Sequence, residues 1–216
     1  EIASNLYDKL LLGEKVADFA CGTGGFLVSA LKHLTAKVQT PEDLQLCRNN
    51  LFGIEKKSFP YSLCMTNLIL HEVDEPKIYQ DNSLNKNVRE LKENDMFDVI
   101  LMNPPYGGTE DEIIQMNFPQ EFRASETADL FMAVIMYRLR TSGRVGVVLP
   151  DGFLFGTEGA KRNLKEKLLN EFNLHTVLRL PKSVFAPYTS IATNVLFFDK
   201  DEDGTKNTWF YRMDIP

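Results

Sequence analysis

Short apolar runs punctuate this chain, and helical spacing fills the intervals between them. Residues 16–19 read as a first strand that runs into a Gly-rich turn. Behind the turn, Phe26, Leu27, Ala30, Leu31 and Leu34 recur at helical spacing and predict a helix over residues 26–34. Residues 51–54 read as a second strand, 59–70 as a helix, 77–80 as a weak third strand and 98–102 as a strong fourth. Residues 128–139 predict a buried or amphipathic helix, and 144–149, almost all Val and Gly, a fifth strand. Gly156 and Thr157 are start signals for a helix over 158–172. Residues 176–180 and 194–198 predict two further strands, with a Pro-bearing loop between them.

Strands alternating with helices build βαβ units. The expected fold is therefore α/β, a mostly parallel, doubly wound, Rossmann-like sheet. The last two strands have no helix between them, so an antiparallel edge strand is expected. Residues 107–127 are polar and lack clear periodicity; a stretch that long is expected to be functional or disordered. No internal repeat or low-complexity segment interrupts residues 1–216, which suit a single catalytic domain.

Composition narrows the classes. With 44% hydrophobic and 25% charged residues, the chain is neither disordered, collagenous nor coiled coil. No apolar run approaches the ~20 residues that span a bilayer. The first residues lack the basic start and apolar core of a secretory signal, and the missing initiator Met suggests a fragment. Cys21, Cys47 and Cys64 form no C-x-x-C pair, which argues for a reducing compartment and, in turn, a cytoplasmic location. His33, His71 and His175 lack zinc-site spacing, so no metal is expected. A net charge of −6 predicts little intrinsic affinity for nucleic acid. Residues 138–182 depart from this balance, with nine Lys and Arg against four Asp and Glu. That segment is either a solvated helix face or a phosphate-facing edge.

The candidate chemistry lies in the turns. Asp18-Phe19-Ala20-Cys21-Gly22-Thr23-Gly24-Gly25 follows the first strand, where ligands of open α/β sheets bind and missing Cβ atoms permit close approach. Leu27 breaks the G-x-G-x-x-G dinucleotide pattern, and no Gly-Lys-Ser/Thr completes a P-loop. Glu55, at the end of the second strand, is an acid suited to ribose hydroxyls. Turn and acid together favour a nucleoside cofactor without a pyrophosphate, such as S-adenosylmethionine. Asp81-Asn82-Ser83 ends the third strand, either as an ordinary turn or with Asp81 accepting from the cofactor's adenine.

The fourth strand runs directly into Asn103-Pro104-Pro105-Tyr106. Two prolines fix φ, remove two donors and keep the preceding residues out of the helical region. The result is a stiff tip with an amide oxygen on Asn103, a backbone carbonyl on Pro104 and an aromatic face on Tyr106. A heteroaromatic amine is a poor nucleophile, because its lone pair is delocalised. Two acceptors that grip its hydrogens favour a tetrahedral nitrogen and stabilise the positive charge that grows as nitrogen attacks a methyl sulfonium.

These motifs, followed by Ala128-Asp129-Leu130-Phe131, by residues 143–150 (Gly-Arg-Val-Gly-Val-Val-Leu-Pro) and by residues 180–185 (Leu-Pro-Lys-Ser-Val-Phe), resemble the adenine-N6 DNA methyltransferases. They most resemble the modification subunits of type I restriction–modification systems. The resemblance covers roughly residues 16–200. It implies that Asp18, Ala20, Cys21, Gly22, Thr23, Gly24 and Gly25 line the methionine part of S-adenosylmethionine. It further implies that Glu55 binds the ribose, and that Asp81 and Asn82 lie near the cofactor's adenine. Asn103 and Pro104 would hold the target amine beside Pro105, with Tyr106 stacked on the base. Phe185, or its neighbour Tyr188, would stack on the other face. The adenine must first be flipped out of double-stranded DNA, because its N6 is out of reach inside the helix.

The chain departs from the family in two places. Phe19 stands where the family usually has Pro, and residues 1–15 show no upstream Thr-Pro motif and no N-terminal helical domain. A catalytic-core fragment is expected. No target-recognition region is evident, which fits a type I system whose specificity subunit reads the DNA beside a restriction subunit. Other readings are a type II adenine enzyme, methylation of a protein glutamine or of RNA, and a degenerate cofactor-binding scaffold.

Overall fold

The first strand, β1 (Val16–Asp18), is three buried residues long and has parallel partners on both sides. On one side lies β2 (Leu51–Glu55), with Leu51 opposite Val16; on the other lies β4 (Phe97–Met102), with Val99 opposite Val16. Beyond β2 runs β3 (Lys77–Gln80), also parallel. The computed structural model describes residues 9–157, 159–187, 190–201 and 203–213. The chain divides into two compact units, Glu1–Ser83 with Phe97–Met102, and Leu84–Met96 with Asn103–Pro216.

In the first unit the strand order is β3-β2-β1-β4. The order reverses at β1, and the carboxyl end of such a strand is where open α/β sheets form their ligand crevice. Helix α1 (Gly25–Thr35) packs on β1, β2 and β4 through buried Leu27, Val28, Ala30, Leu31 and Leu34. Helix α2 (Pro41–Asn49) is absent from the sequence reading, because Cys47 is its one buried residue and no apolar stripe marks it. Its start was nevertheless written in the sequence: Thr40 and Asp43 form a capping box around Pro41. Helix α3 (Ser58–Leu70) lies against β2 and β3. Phe19 is buried, with its ring 6.3 Å from Phe52 and 5.6 Å from Phe97 in edge-on contacts. The residue that departs from the family pattern is thus a core aromatic of this unit.

In the second unit β5 (Leu139–Pro150), β6 (Asn173–Arg179), β7 (Thr193–Asp199) and β8 (Trp209–Arg212) run in the order β5-β7-β6-β8. Strand β7 is antiparallel to both β5 and β6. The last two strands expected from the sequence therefore do pair antiparallel, but the edge beside β6 belongs to a parallel strand, β8. All four residues of β8 are exposed, so no alternation of buried and exposed positions marked it.

The short helix α4 (Glu112–Gln115) lies in the polar stretch after the Pro-Pro tip. That stretch is a built segment: Phe118 and Phe122 are buried, and Thr109 pairs with Glu126 across its base. Helix α5 (Thr127–Arg138) is buried nearly all round and packs on β5. Asp151 opens the one-turn helix α6 (Asp151–Phe155). Helix α7 (Gly159–Glu171) buries Leu164 and Leu168 and packs on α5 and β6; the expected start at Glu158 lies outside the described residues.

Candidate active site

Hydrogen bonds from three strand ends shape the Gly-rich turn. Asp18, 1% exposed at the end of β1, accepts from the Ala20 amide at 3.0 Å. The Cys21 amide donates to Ile54 O at 3.1 Å, and the Gly24 amide closes the turn on Cys21 O at 2.7 Å. Gly22 and Gly24 have φ of 54° and 84°, a region that favours glycine. A Cβ on Gly22 or Gly25 would meet no atom within 4 Å, so these glycines present bare backbone to open space. The Thr23 carbonyl accepts from Asn67 Nδ2 at 3.1 Å.

Glu55 is the second anchor of the turn. Its Oε2 accepts from the Gly22 amide at 2.9 Å, and Oε1 accepts from the Lys57 amide at 2.9 Å. Each carboxylate oxygen has a second lone pair left for a ligand hydroxyl. The Asp81 amide donates to Glu55 O at 3.2 Å, which brings the end of β3 to the end of β2. Asp81 is exposed, and its Oδ1 accepts from the Asn82 amide at 2.7 Å. The first unit thus gathers Asp18, residues 20–25, Glu55, Asp81 and Asn82 on one linked set of strand ends.

Desolvation pushes the Asp18 carboxyl up to about 7, the Ala20 amide opposes this, and the charge of Glu55 adds to it. Cys21 and Cys64 are neighbours the sequence did not pair: their sulfurs are 3.8 Å apart and buried. The S–H contact with Cys64 and burial push the Cys21 thiol up, so it is no ready nucleophile. Ser83 is also new to the site, donating from Oγ to Phe19 O at 2.6 Å beneath the turn.

The second unit carries the Pro-Pro tip, which directly follows Met102 in the chain. Pro104 is buried, Pro105 is exposed, and Asn103 and Tyr106 are half-buried. The Tyr106 hydroxyl donates to Asn103 Oδ1. Burial pushes the Tyr106 phenol up, which keeps it a donor. The Phe185 ring centroid is 6.5 Å from that of Tyr106 at an interplanar angle of 70°. The structure therefore brings together Asn103, Tyr106 and Phe185, an amide acceptor and two aromatic faces. Tyr188 lies outside the described residues.

Most of the basic segment is paired within the chain. Lys161 bridges Glu126 and Asp129 at 2.8 and 2.7 Å, Arg140 meets Glu93 at 3.2 Å, and Arg162 meets Glu166 at 2.9 Å. Lys167 pairs with Glu171 and Arg179 with Asp151. Arg138 is buried and donates to Asp95 O, and Lys165 donates to the Leu154 and Gly156 carbonyls. Several of these partners lie upstream of residue 138, outside the stretch whose charge was counted. Among the described residues no cluster of His, Cys, Asp and Glu is placed to hold a metal, and no helix is long and apolar enough to cross a membrane.

A parallel sheet that reverses at β1, with a bare glycine turn and a carboxylate at the next strand end, defines an α/β protein of the nucleoside-binding class. The chain belongs to the N-6 DNA Methylase family, which it matches over residues 2–214. It is 49% identical over 207 residues to the type I restriction enzyme EcoEI methylase subunit of Escherichia coli, spanning 95% of this chain and 41% of that protein. A crystal structure of a modification subunit from Vibrio vulnificus YJ016 has a TM-score of 0.94 at 45% identity, covering 100% of this chain and 46% of that one. The crystal structure of the type I EcoKI M protein has a TM-score of 0.81 at 27% identity, covering 97% of this chain and 46% of that one. The chain thus spans less than half the length of these relatives.

Proposed function

We propose that this chain is the catalytic core of a type I modification subunit. It transfers a methyl group from S-adenosylmethionine to the exocyclic N6 of an adenine flipped out of double-stranded DNA. The observation that carries the reading is the meeting of Phe185 with Asn103 and Tyr106 of the proline-stiffened tip.

The first unit suits the cofactor. A compact sulfonium with a carboxylate and an amine fits a turn whose glycines expose backbone, and the turn lacks the G-x-G-x-x-G and Gly-Lys-Ser/Thr patterns of pyrophosphate binders. Asp18 and residues 20–25 would hold the methionine part, Glu55 the ribose, and Asp81 with Asn82 the adenine. When bound, S-adenosylmethionine supplies an electrophilic methyl group.

The work of the second unit is acceptance and stacking. Asn103 Oδ1 and the Pro104 carbonyl accept the two N6 hydrogens of the base, and Pro105 keeps the tip extended. Tyr106 stacks on one face and Phe185 on the other. Their rings now meet edge to face, so one must rotate to open a parallel slot. Positive charge on the nitrogen is stabilised by the two oxygens. Neither oxygen is a base at neutral pH, so the proton passes to water.

Sequence reading falls to a separate specificity subunit, and a restriction subunit completes the assembly in the prokaryotic cytoplasm. Two observations support this: the net charge is −6, and most of the basic segment is paired internally. A solved structure at 42% identity concerns complex assembly of the type I restriction–modification system. The test is Asn103→Ala in the assembled enzyme. Methyl transfer should fall by about 10²–10³, as for loss of one transition-state hydrogen bond, while calorimetry shows unchanged S-adenosylmethionine binding. Turnover like the wild type overturns the assignment.

A further inference from the structure

Asp151, the first residue after β5, is a side chain for which the site described so far has no use. Its Oδ1 accepts from Arg179 Nη1 at 2.9 Å and from Asn194 Nδ2 at 2.7 Å, and its Oδ2 accepts from Arg179 Nη2 at 2.7 Å. Arg179 is the last residue of β6, and Asn194 is the second residue of β7. The chain between them is the loop that carries Phe185. One carboxylate therefore holds both ends of that loop. Backbone bonds reinforce the junction: the Leu180 amide donates to Thr193 O at 3.0 Å, and the Asp151 amide donates to Ala192 O at 2.9 Å. Within the loop, the Val184 amide donates to Pro181 O and the Ala186 amide to Ser183 O, each at 3.1 Å. These are local turns, which shape the chain on either side of Phe185.

We propose that Asp151 is a positioning residue for base capture: by joining Arg179 to Asn194 it fixes the loop base and so sets where Phe185 stands against Tyr106. The proposal rests on the reading of Tyr106 and Phe185 as the faces that receive the base. The chemistry suits the task. A carboxylate gripped by both arms of a guanidinium is fixed in plane as well as in distance. Asn194 is 2% exposed, so its amide has a strong need for this acceptor. Burial pushes the Asp151 carboxyl up, the bonds from Arg179 and Asn194 outweigh it, and the net effect holds it below the usual range. The clamp is charged at neutral pH.

The test uses the modification subunit assembled with its partners and duplex DNA carrying 2-aminopurine, whose fluorescence rises on unstacking, at the target position. Asp151→Ala should weaken the flipping signal and lower kcat/KM for DNA by roughly ten- to a hundredfold, the scale of a misplaced positioning group. S-adenosylmethionine affinity should stay unchanged. In a Phe185→Ala background the same substitution should add less than about twofold, because the two act through one contact. Full additivity, or an undiminished flipping signal, overturns the proposal. If Asp151→Ala does not fold, Arg179→Lys keeps the charge and loses the two-armed grip; undisturbed flipping by that folded variant overturns the proposal equally. Should Phe185→Ala alone leave methylation unchanged, the stacking reading itself fails. Should Phe185→Ala cripple the enzyme and Asp151→Ala not, the positioning role alone fails.

Discussion

The Tyr106 hydroxyl is hydrogen-bonded to Asn103 Oδ1, the same oxygen that would grip the amine of a target base. The resting tip is thus capped by its own aromatic residue. On the proposed reading, an incoming amino group would meet an acceptor that already holds a protein donor and would compete with it for that oxygen.

Tyr106→Phe keeps the stacking ring and removes the cap. A neutral hydrogen bond is worth about 0.5–1.5 kcal/mol net, so KM for DNA should fall about two- to tenfold, with a smaller change in kcat. Steady-state kinetics on a duplex with one target site check this. A rise in KM would mean that the hydroxyl contacts the base and is not its competitor.

Asp18 gives the fold a pH signature. Its carboxyl titrates near 7 when folded, far above the usual range for an unfolded chain. Between those values the folded state holds a proton that the unfolded state has released. Stability from this group is therefore greatest at low pH and falls as pH rises toward 7. Thermal melts from about pH 5 to about pH 8 should show this decline, and Asp18→Asn should flatten it. Parallel curves for the two proteins would refute it.

Gly24 is tested by adding one methyl group. Its φ is 84°, and a Cβ there would stand 2.7 Å from Cys64 Sγ. Gly24→Ala should cost roughly 1–3 kcal/mol, from the left-handed backbone together with the clash. Adding Cys64→Ala should recover the steric share and leave the backbone share, read as a partial return of the urea midpoint. Absence of any recovery would show that the turn, not the sulfur, sets the cost.

The strands that build the candidate site were legible because their patterns end on punctuation. β1 stops at a glycine run, and β4 stops at two prolines. α2 and β8 were not legible, because one buries a single residue and the other buries none. The pairing of residues 138–182 was not legible from their charge, because Glu93, Glu126 and Asp129 reach them from outside that window. The cluster at Asp151 was invisible for a similar reason. Its bonds span 28 and 43 residues, and no local period records a contact of that range. Phe19 was visible as a departure, but its partners Phe52 and Phe97 became apparent only once β2 and β4 flanked β1.

The clamp on the Phe185 loop also affects where disorder is lost. Closing a flexible loop costs chain entropy that rises with its length. With Arg179 and Asn194 already joined through Asp151, that loss falls on folding of the polypeptide and not on the encounter with DNA. On the proposed reading, a base entering beside Phe185 would meet a loop whose two ends are already held. The association step should carry a correspondingly small entropic penalty.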